Sequence, residues 1–305
     1  GLEAQTEEEA VCVADVGEVT ALSFTNQHGS FSFTRTEGTW SYDGDPDFSL
    51  DGSYLDTLAA ALAPLNAVRA VYDPDALEAY GLAEPACTVT AQGDGTTVTV
   101  LIGDAAGSDY YAKTADSDTV YTINGDLLSA MDYDLNALAA LPDIPAAGEA
   151  DLTTLQVERD GSTFTLTKQT ETTETDNDSA ENSTDGAAES AQPETQTSYH
   201  WYLDGVEVTD SEVLRDALAE LATLSLSACY SYDPDADALA ACGLDSPAVT
   251  VTVQTDSADY TLAIGSAGES GYYVRIDGAG PIYLLSSAQA EALTALQVSA
   301  LTAAE

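Results

Sequence analysis

Apolar and polar residues alternate with a period of two in VTALSFT from Val19 and SFSFTRT from Ser30. They alternate again in ACTVTAQ from Ala86, TTVTVLI from Thr96, YYAKT from Tyr110 and TVYTI from Thr119. That period predicts half-buried β-strands, and the short Gly/Asp-rich segments between them predict antiparallel pairing. The period changes to that of a helix around Leu55, Leu58 and Leu62, and again around Leu214, Leu218 and Leu221. Asp51 and Asp210 are placed to cap these two helices.

YDPDALEAYGLAEPA, from Tyr72, predicts a helix of one to two turns over 76–80. Asp73 would cap it, Pro74 would take its first position, and Gly81 would end it in the left-handed conformation. The chain repeats this from Tyr232 as YDPDADALAACGLDSPA, with Asp233, Pro234, Gly243 and Pro247 in the same parts. Other landmarks recur in order 160–162 residues later. WSYDG from Trp40 returns as WYLDG from Trp201, TVTVLIG ending at Gly103 as DYTLAIG ending at Gly265, and SDYYAK as SGYYVR. TVYTI ending at Ile123 likewise returns as PIYLL ending at Leu285. Local caps alone do not reproduce so long an ordered series, so the chain is a duplication. Each unit should close with a terminal helix, from about Gly125 in the first and Ser286 in the second.

The expected fold is α+β: two tandem repeats of a mainly antiparallel sheet with helices packed on one face. The expected divisions are a polar tether over 1–15, a first repeat over 16–140, a linker over 141–150 and a second repeat over 151–305. FSFTRT at Phe31 matches FTLTKQT at Phe164, only 133 residues on, so the second copy holds 28 additional residues before its tryptophan. These lie in ETTETDNDSAENSTDGAAESAQPETQTS, which has many carboxylates but no aromatic, β-branched aliphatic or basic residue. An insert of that composition, at about 170–198, is expected to be disordered.

Charge narrows the choice of partners. The 305 residues carry 53 acidic and 7 basic side chains, a net of −46, with lysine only at Lys113 and Lys168. Such a field repels nucleic acid and anionic lipid, and it suits a soluble, surface-exposed protein. No stretch approaches the ~20 apolar residues of a membrane span. The opening GLEAQTEEEA lacks the basic and apolar regions of a signal peptide and reads as a mature or trimmed N-terminus.

Candidate chemistry is sparse. His28 and His200 are not duplicated counterparts, and no nucleophile motif accompanies them, so surface histidine is the simpler reading. Cys12, Cys87, Cys229 and Cys242 match no zinc spacing. Cys229 and Cys242 flank the short helix of the second copy, where the first has Arg69 and Tyr80, which suggests a disulfide. DGDPD at Asp43 and DPDAD at Asp233 alternate carboxylates as calcium loops do. Phe48 and Tyr54, or Ala238 and Leu244, stand where such a loop needs Gly and Glu, so cap and turn roles explain them better. The glycines at Gly265, Gly268 and Gly271 lack the lysine of a phosphate loop. No metal and no cofactor is expected. The remaining candidates are Tyr110, Tyr111, Tyr272 and Tyr273. Neighbours on a strand face opposite sides, so one tyrosine of each pair should be core and the other exposed for sugar stacking or a protein contact.

YDPDALEAYGLAEPACTVT, the TVTVLIG strand, the Tyr-Tyr pair and VYTI together resemble the bacterial domain-of-unknown-function family DUF4340, over most of the chain. The resemblance implies an envelope protein with an N-terminal membrane anchor, often encoded beside ABC-transporter components of the gliding-motility type. It implies no catalytic residues, and this chain shows no anchor. The function expected is therefore a non-enzymatic, extracytoplasmic interaction module whose partner is an envelope protein or a glycan, in a role accessory to a transporter complex. The alternatives are a glycan-binding surface protein using the exposed tyrosines and, disfavoured by the missing motifs, a hydrolase with dispersed carboxylates.

Overall fold

The computed structural model describes residues 11–175 and 194–303. It divides into two compact units between Leu141 and Pro142. In the first unit β1 (Cys12–Ala14) is followed by β2 (Val19–Asn26), β3 (Gly29–Thr36), β4 (Thr39–Tyr42) and α1 (Ser53–Ala61). Two short strands come next, β5 (Leu65–Asn66) and β6 (Arg69–Ala70), and then a 3-10 turn over Leu77–Tyr80. The chain continues through β7 (Cys87–Gly93), β8 (Thr96–Ala106), β9 (Asp109–Thr114) and β10 (Tyr121–Ile123) to α2 (Asp126–Ala130) and α3 (Leu135–Leu138). One sheet has the order β4-β3-β2-β7-β8-β9-β10-β6, antiparallel throughout, and β1 pairs with β5 apart from it.

The second unit holds β11 (Leu152–Arg159), β12 (Ser162–Thr175), β13 (Glu194–Leu203), β14 (Val206–Glu207), α4 (Glu212–Ala222) and β15 (Leu226–Ser231). It continues with α5 (Ala236–Ala241), β16 (Val249–Thr255), β17 (Asp259–Gly268), β18 (Gly271–Ile276), β19 (Ile282–Leu285), α6 (Ser287–Thr294) and α7 (Val298–Leu301). Its sheet order, β14-β13-β12-β11-β16-β17-β18-β19-β15, is that of the first unit strand for strand, with β14 added at one edge. The α+β class is as the alternation predicts.

Tight turns set the register. Asp94-Gly95, Asp160-Gly161 and Asp204-Gly205 all have positive φ at both residues. That is the twist two-residue hairpin loops require, and Asp tolerates it while Gly prefers it. The alternating apolar residues then fall on one face. In the first unit Leu22, Phe24, Phe33, Val89, Val100 and Ile102 form a core with Leu55 and Leu58 of α1 and Leu127 of α2. In the second, Leu155, Val157, Leu166, Val251, Leu262 and Ile264 are buried, as are Leu214 and Leu221 of α4 and Leu293 of α6. Gln289 of α6 reaches across to donate to the Thr223 carbonyl at 3.1 Å.

The short helical segments lie on the other face. Leu101 and Tyr111 alternate with core residues, and they pack with Leu77, Tyr80, Leu82 and Val120. Ala263 and Tyr273 do the same with Leu239, Cys242, Leu244 and Ile282. The single helical face expected from sequence is thus supplemented by a small second layer in each unit. Gly81 and Gly243 end these segments at φ 67° and 66°, left-handed as predicted. Their starts differ from expectation. The first is capped by Ala76 without a side-chain bond, and Asp73 takes φ 47°. The second is capped by Asp235, whose carboxylate accepts from the Ala238 amide at 2.8 Å.

Other expectations are corrected. Gly52 and Ser211, not Asp51 and Asp210, are the N-caps of α1 and α4; Asp51 instead accepts from Ser53. From Pro142 on, the expected linker is part of the second unit: Ala147 is buried, and Glu149 accepts from the Trp201 indole. The expected tether carries β1, with Ala14 in the core, whereas 1–10 lie outside the described residues. Both ends of the acidic insert are strands, since β12 and β13 stay paired from Thr170↔Tyr199 to Thr175↔Glu194. The remaining stretch expected to be disordered, 176–193, lies outside the described residues.

Candidate functional site

Neither member of either tyrosine pair is exposed, which corrects the expectation of one outward ring in each. Tyr110 and Tyr111 on β9, and Tyr272 and Tyr273 on β18, are all half-buried. The pairs do alternate. Tyr110 packs on the main core and Tyr111 on the second layer, where its ring meets Tyr80 edge-on at 4.8 Å. In the second unit Cys242 takes the place of Tyr80, and the ring beside Tyr273 comes from Tyr230 of edge strand β15, at 4.6 Å. Burial, then the hydrogen bond with Tyr230 and nearby negative charge, raises the Tyr273 phenol above its ordinary pKa. The four tyrosines do not converge on one place within either unit.

Two tyrosines that the pairs did not single out are open to solvent. Tyr72, just after β6, is 90 % exposed, and Tyr230 is 46 % exposed. They are the exposed large aromatics among the described residues. They are not counterparts in the duplication: Tyr72 opens the first YDPD, whereas Tyr230 lies on β15 two residues before the second, whose own Tyr232 is half-buried. Sequence alone could have found Tyr72, which lies outside any alternating run.

The histidines differ in their neighbours: His200 Nε2 stands 3.5 Å from the Ser198 hydroxyl, the long limit of a hydrogen bond, on a residue that is only half-buried. His28, in the β2–β3 turn, lies 3.5 Å from Asp132. His200 sits on β13 between Glu207 of β14, whose carboxylate meets Nδ1 at 2.7 Å, and Glu171 of β12, 3.6 Å from Nε2. The Glu207 hydrogen bond raises the His200 pKa and lowers that of Glu207. Thr209 adds a second bond to Glu207 at 3.0 Å. Flanked on opposite ring edges, His200 is suited to bracing three strands.

Among the described residues no three His, Cys, Asp or Glu side chains are arranged to hold a metal ion. Asp45 accepts from the Asp47 amide at 3.0 Å, so DGDPD is built as a turn, and Asp235 caps α5. No disulfide joins Cys229 to Cys242. Burial raises the Cys242 thiol, and burial with the Asp132 charge raises Cys87, so both are poor nucleophiles. Among the described residues no helix is long and apolar enough to cross a membrane.

The tryptophans hold equivalent places with different partners. The Trp40 indole donates to Asp56 of α1 at 2.9 Å, while the Trp201 indole donates to Glu149 at 3.0 Å. No curated protein and no solved structure matches the chain significantly. A family model does match, over residues 40–199 and 201–299, and each matched segment opens on one of these tryptophans. Because those segments cover most of the chain, it belongs to the family described as Domain of unknown function (DUF4340).

Proposed function

We propose that the chain is a non-enzymatic interaction module working outside the cytoplasm, in which each unit offers a sheet edge to a macromolecular partner, marked by Tyr72 in the first unit and by Tyr230 in the second. The observation that carries this reading is the placement of those two rings. Each is the outward aromatic of its unit, beside the same short helical segment. Aromatic side chains in such positions are the usual anchors of protein contacts. An acidic, lysine-poor surface suits an exposed location and disfavours nucleic acid. An envelope setting and a role accessory to a transporter complex belong to this proposal, as what the resemblance read from the sequence implies.

The test is capture from envelope extract by the purified chain. Tyr72→Ala and Tyr230→Ala should each weaken retention of the partner, by ~2 kcal/mol for a hot-spot ring. His28→Ala and His200→Ala should leave it unchanged. Retention unaffected by both tyrosine variants would remove these edges as the surface, and robust turnover of a glycan, peptide or phosphoester would overturn the non-enzymatic reading. A glycan partner is the second reading, favoured by the Tyr230–Tyr273 ring pair at 4.6 Å as a stacking platform. Saturable binding on a glycan array, lost in Tyr230→Ala, would select it.

A further inference from the structure

In the second unit a cleft of about 520 Å³ is lined by α4, the Thr209–Asp210 turn, Tyr199 of β13 and Glu149. That volume lies within the range of small-molecule sites. Leu218, Ala219 and Ala222 of α4 give it an apolar wall. Most of its polar groups are already committed. Glu149 accepts from the Trp201 indole at 3.0 Å, and Thr209 Oγ1 accepts from the Trp201 amide at 2.9 Å and donates to Glu207 at 3.0 Å. Lys168 donates to the Glu149 and Ala150 carbonyls at 2.6 and 2.8 Å, and its ammonium stands 4.7 Å over the Tyr199 ring. Asp210 and Arg215 are different: among the described residues their side chains enter no ion pair.

The first unit shows what this region looks like when its charges cancel. Asp56 occupies the place of Arg215, accepts from the Trp40 indole at 2.9 Å and faces Arg35 at 3.5 Å. Gly38 stands where the second unit has Tyr199. Between the duplicates, therefore, an acid has become a guanidinium, the tryptophan's acceptor has moved to Glu149, and an aromatic wall has appeared. These changes meet in one cleft. Among the described residues Arg69, Arg275, Lys113 and Lys168 enter no ion pair either, so what sets Arg215 apart is its place in the lining of this cleft with Asp210.

We propose that this cleft binds a small zwitterion with an apolar body, a free amino acid or a dipeptide. Arg215 takes the carboxylate, as a planar guanidinium does best. Asp210 takes the ammonium, and the α4 wall takes the side chain. Tyr199 packs against the body of the ligand and does not hold its cation, because Lys168 already occupies that ring. A simple anion is disfavoured by Asp210 and Glu149, and a simple cation by Arg215, so the pairing of charges selects a ligand that carries both.

The test is calorimetric titration of the whole chain with leucine, Leu-Leu, N-acetyl-leucine and leucinamide. Leucine or Leu-Leu should bind saturably, and whichever binds tighter identifies the size of the natural ligand. Blocking either end should weaken binding tenfold or more, the scale of a lost charge-assisted hydrogen bond. Arg215→Ala, at an exposed position, should lose carboxylate-dependent binding without changing the melting temperature. Asp210→Asn should bring leucine down to the level of N-acetyl-leucine, while Arg35→Ala, in the other unit, should retain full binding. No saturable binding by either zwitterion at millimolar concentration would overturn the proposal. So would equal binding of the blocked compounds, or equal binding by wild type and Arg215→Ala.

Discussion

Asn26 and Arg159 occupy the same position of the two units and grip the same feature. Each ends the strand that leads into its unit's first long hairpin. Asn26 donates to the carbonyls of Met131 and Tyr133 at 2.7 and 2.9 Å, just past α2. Arg159 donates to Thr294 and Leu296 at 2.7 and 3.0 Å, where α6 ends. A helix leaves its last carbonyls unsatisfied, so either side chain serves as a remote C-cap, and the arginine also complements the helix dipole.

Removing either clasp should therefore destabilise its own unit. Asn26→Ala and Arg159→Ala should each cost roughly 1–3 kcal/mol, the range for stranding buried acceptors. Urea unfolding would show this as a lower midpoint with an unchanged slope.

The bulged strands carry a second shared constraint. β8 shifts register against β9 between Ile102 and Ala105, and β17 against β18 between Ile264 and Ala267. Within those bulges a Cβ on Gly103 would lie 2.1 Å from the Tyr80 carbonyl oxygen, and one on Gly265 would lie 2.2 Å from that of Cys242. Gly103→Ala and Gly265→Ala should lose ~1–3 kcal/mol by overpacking. Gly125→Ala, which meets only Tyr110 at 3.5 Å, should stay within ~0.5 kcal/mol of wild type.

His200 gives stability a sign with pH. Its folded pKa is raised above 6.5, first by the Glu207 hydrogen bond. The imidazolium therefore contributes stability that is fully present below pH 6.5 and is lost as pH rises through the higher folded value. Melting temperature measured from pH 5.5 to 8.5 should fall over that window in wild type. The fall should be smaller in His200→Gln.

Tyr260 is buried, and its hydroxyl has no hydrogen-bond partner among the described residues. Burial pushes its pKa from 10.0 up to about 12. Tyr260→Phe should be neutral or stabilising near neutral pH, because it removes a desolvated hydroxyl. Above pH 10 the unfolded phenol ionises while the folded one does not, so wild type loses stability as pH rises towards 12. The Phe variant should lack that component in alkaline melts.

The duplication and the antiparallel hairpins were legible because alternation and tight Asp-Gly turns are local signals, whereas the order in which the hairpins join the sheet was not. Several caps were not. In YDPD the Pro-flanked Asp73 turns left-handed, and DPDAD offers two candidate caps two residues apart, between which only packing decides. β15 is not legible as a strand because two register irregularities interrupt its six residues and break the alternation. At the ends of the insert the polar, carboxylate-rich composition outweighs the strand signal of Thr170, Thr172, Thr173 and Thr197, whose β-branched side chains suit a strand. The tyrosine pairs alternate as expected, but the short helical segment that covers Tyr111 and Tyr273 is a tertiary fact, so their outward faces could not be read as buried. Nothing in the helical pattern distinguishes Arg215 from any other exposed position of α4; its counterpart Asp56 does.

Two units with one strand order in one chain also create a hazard during synthesis. The first unit leaves the ribosome while its counterpart strands are still to come, and strands of similar pattern can be exchanged between β-rich repeats. The unlike details act as addresses against that exchange. A hybrid placing β11 in the slot of β2 would bring the long Arg159 side chain to the site where Asn26 is buried against α2. One placing α4 in the slot of α1 would set Arg215 against Arg35 and leave the Trp40 indole without its carboxylate. Divergence at these few positions thus gives each newly made strand a reason to wait for its own sheet.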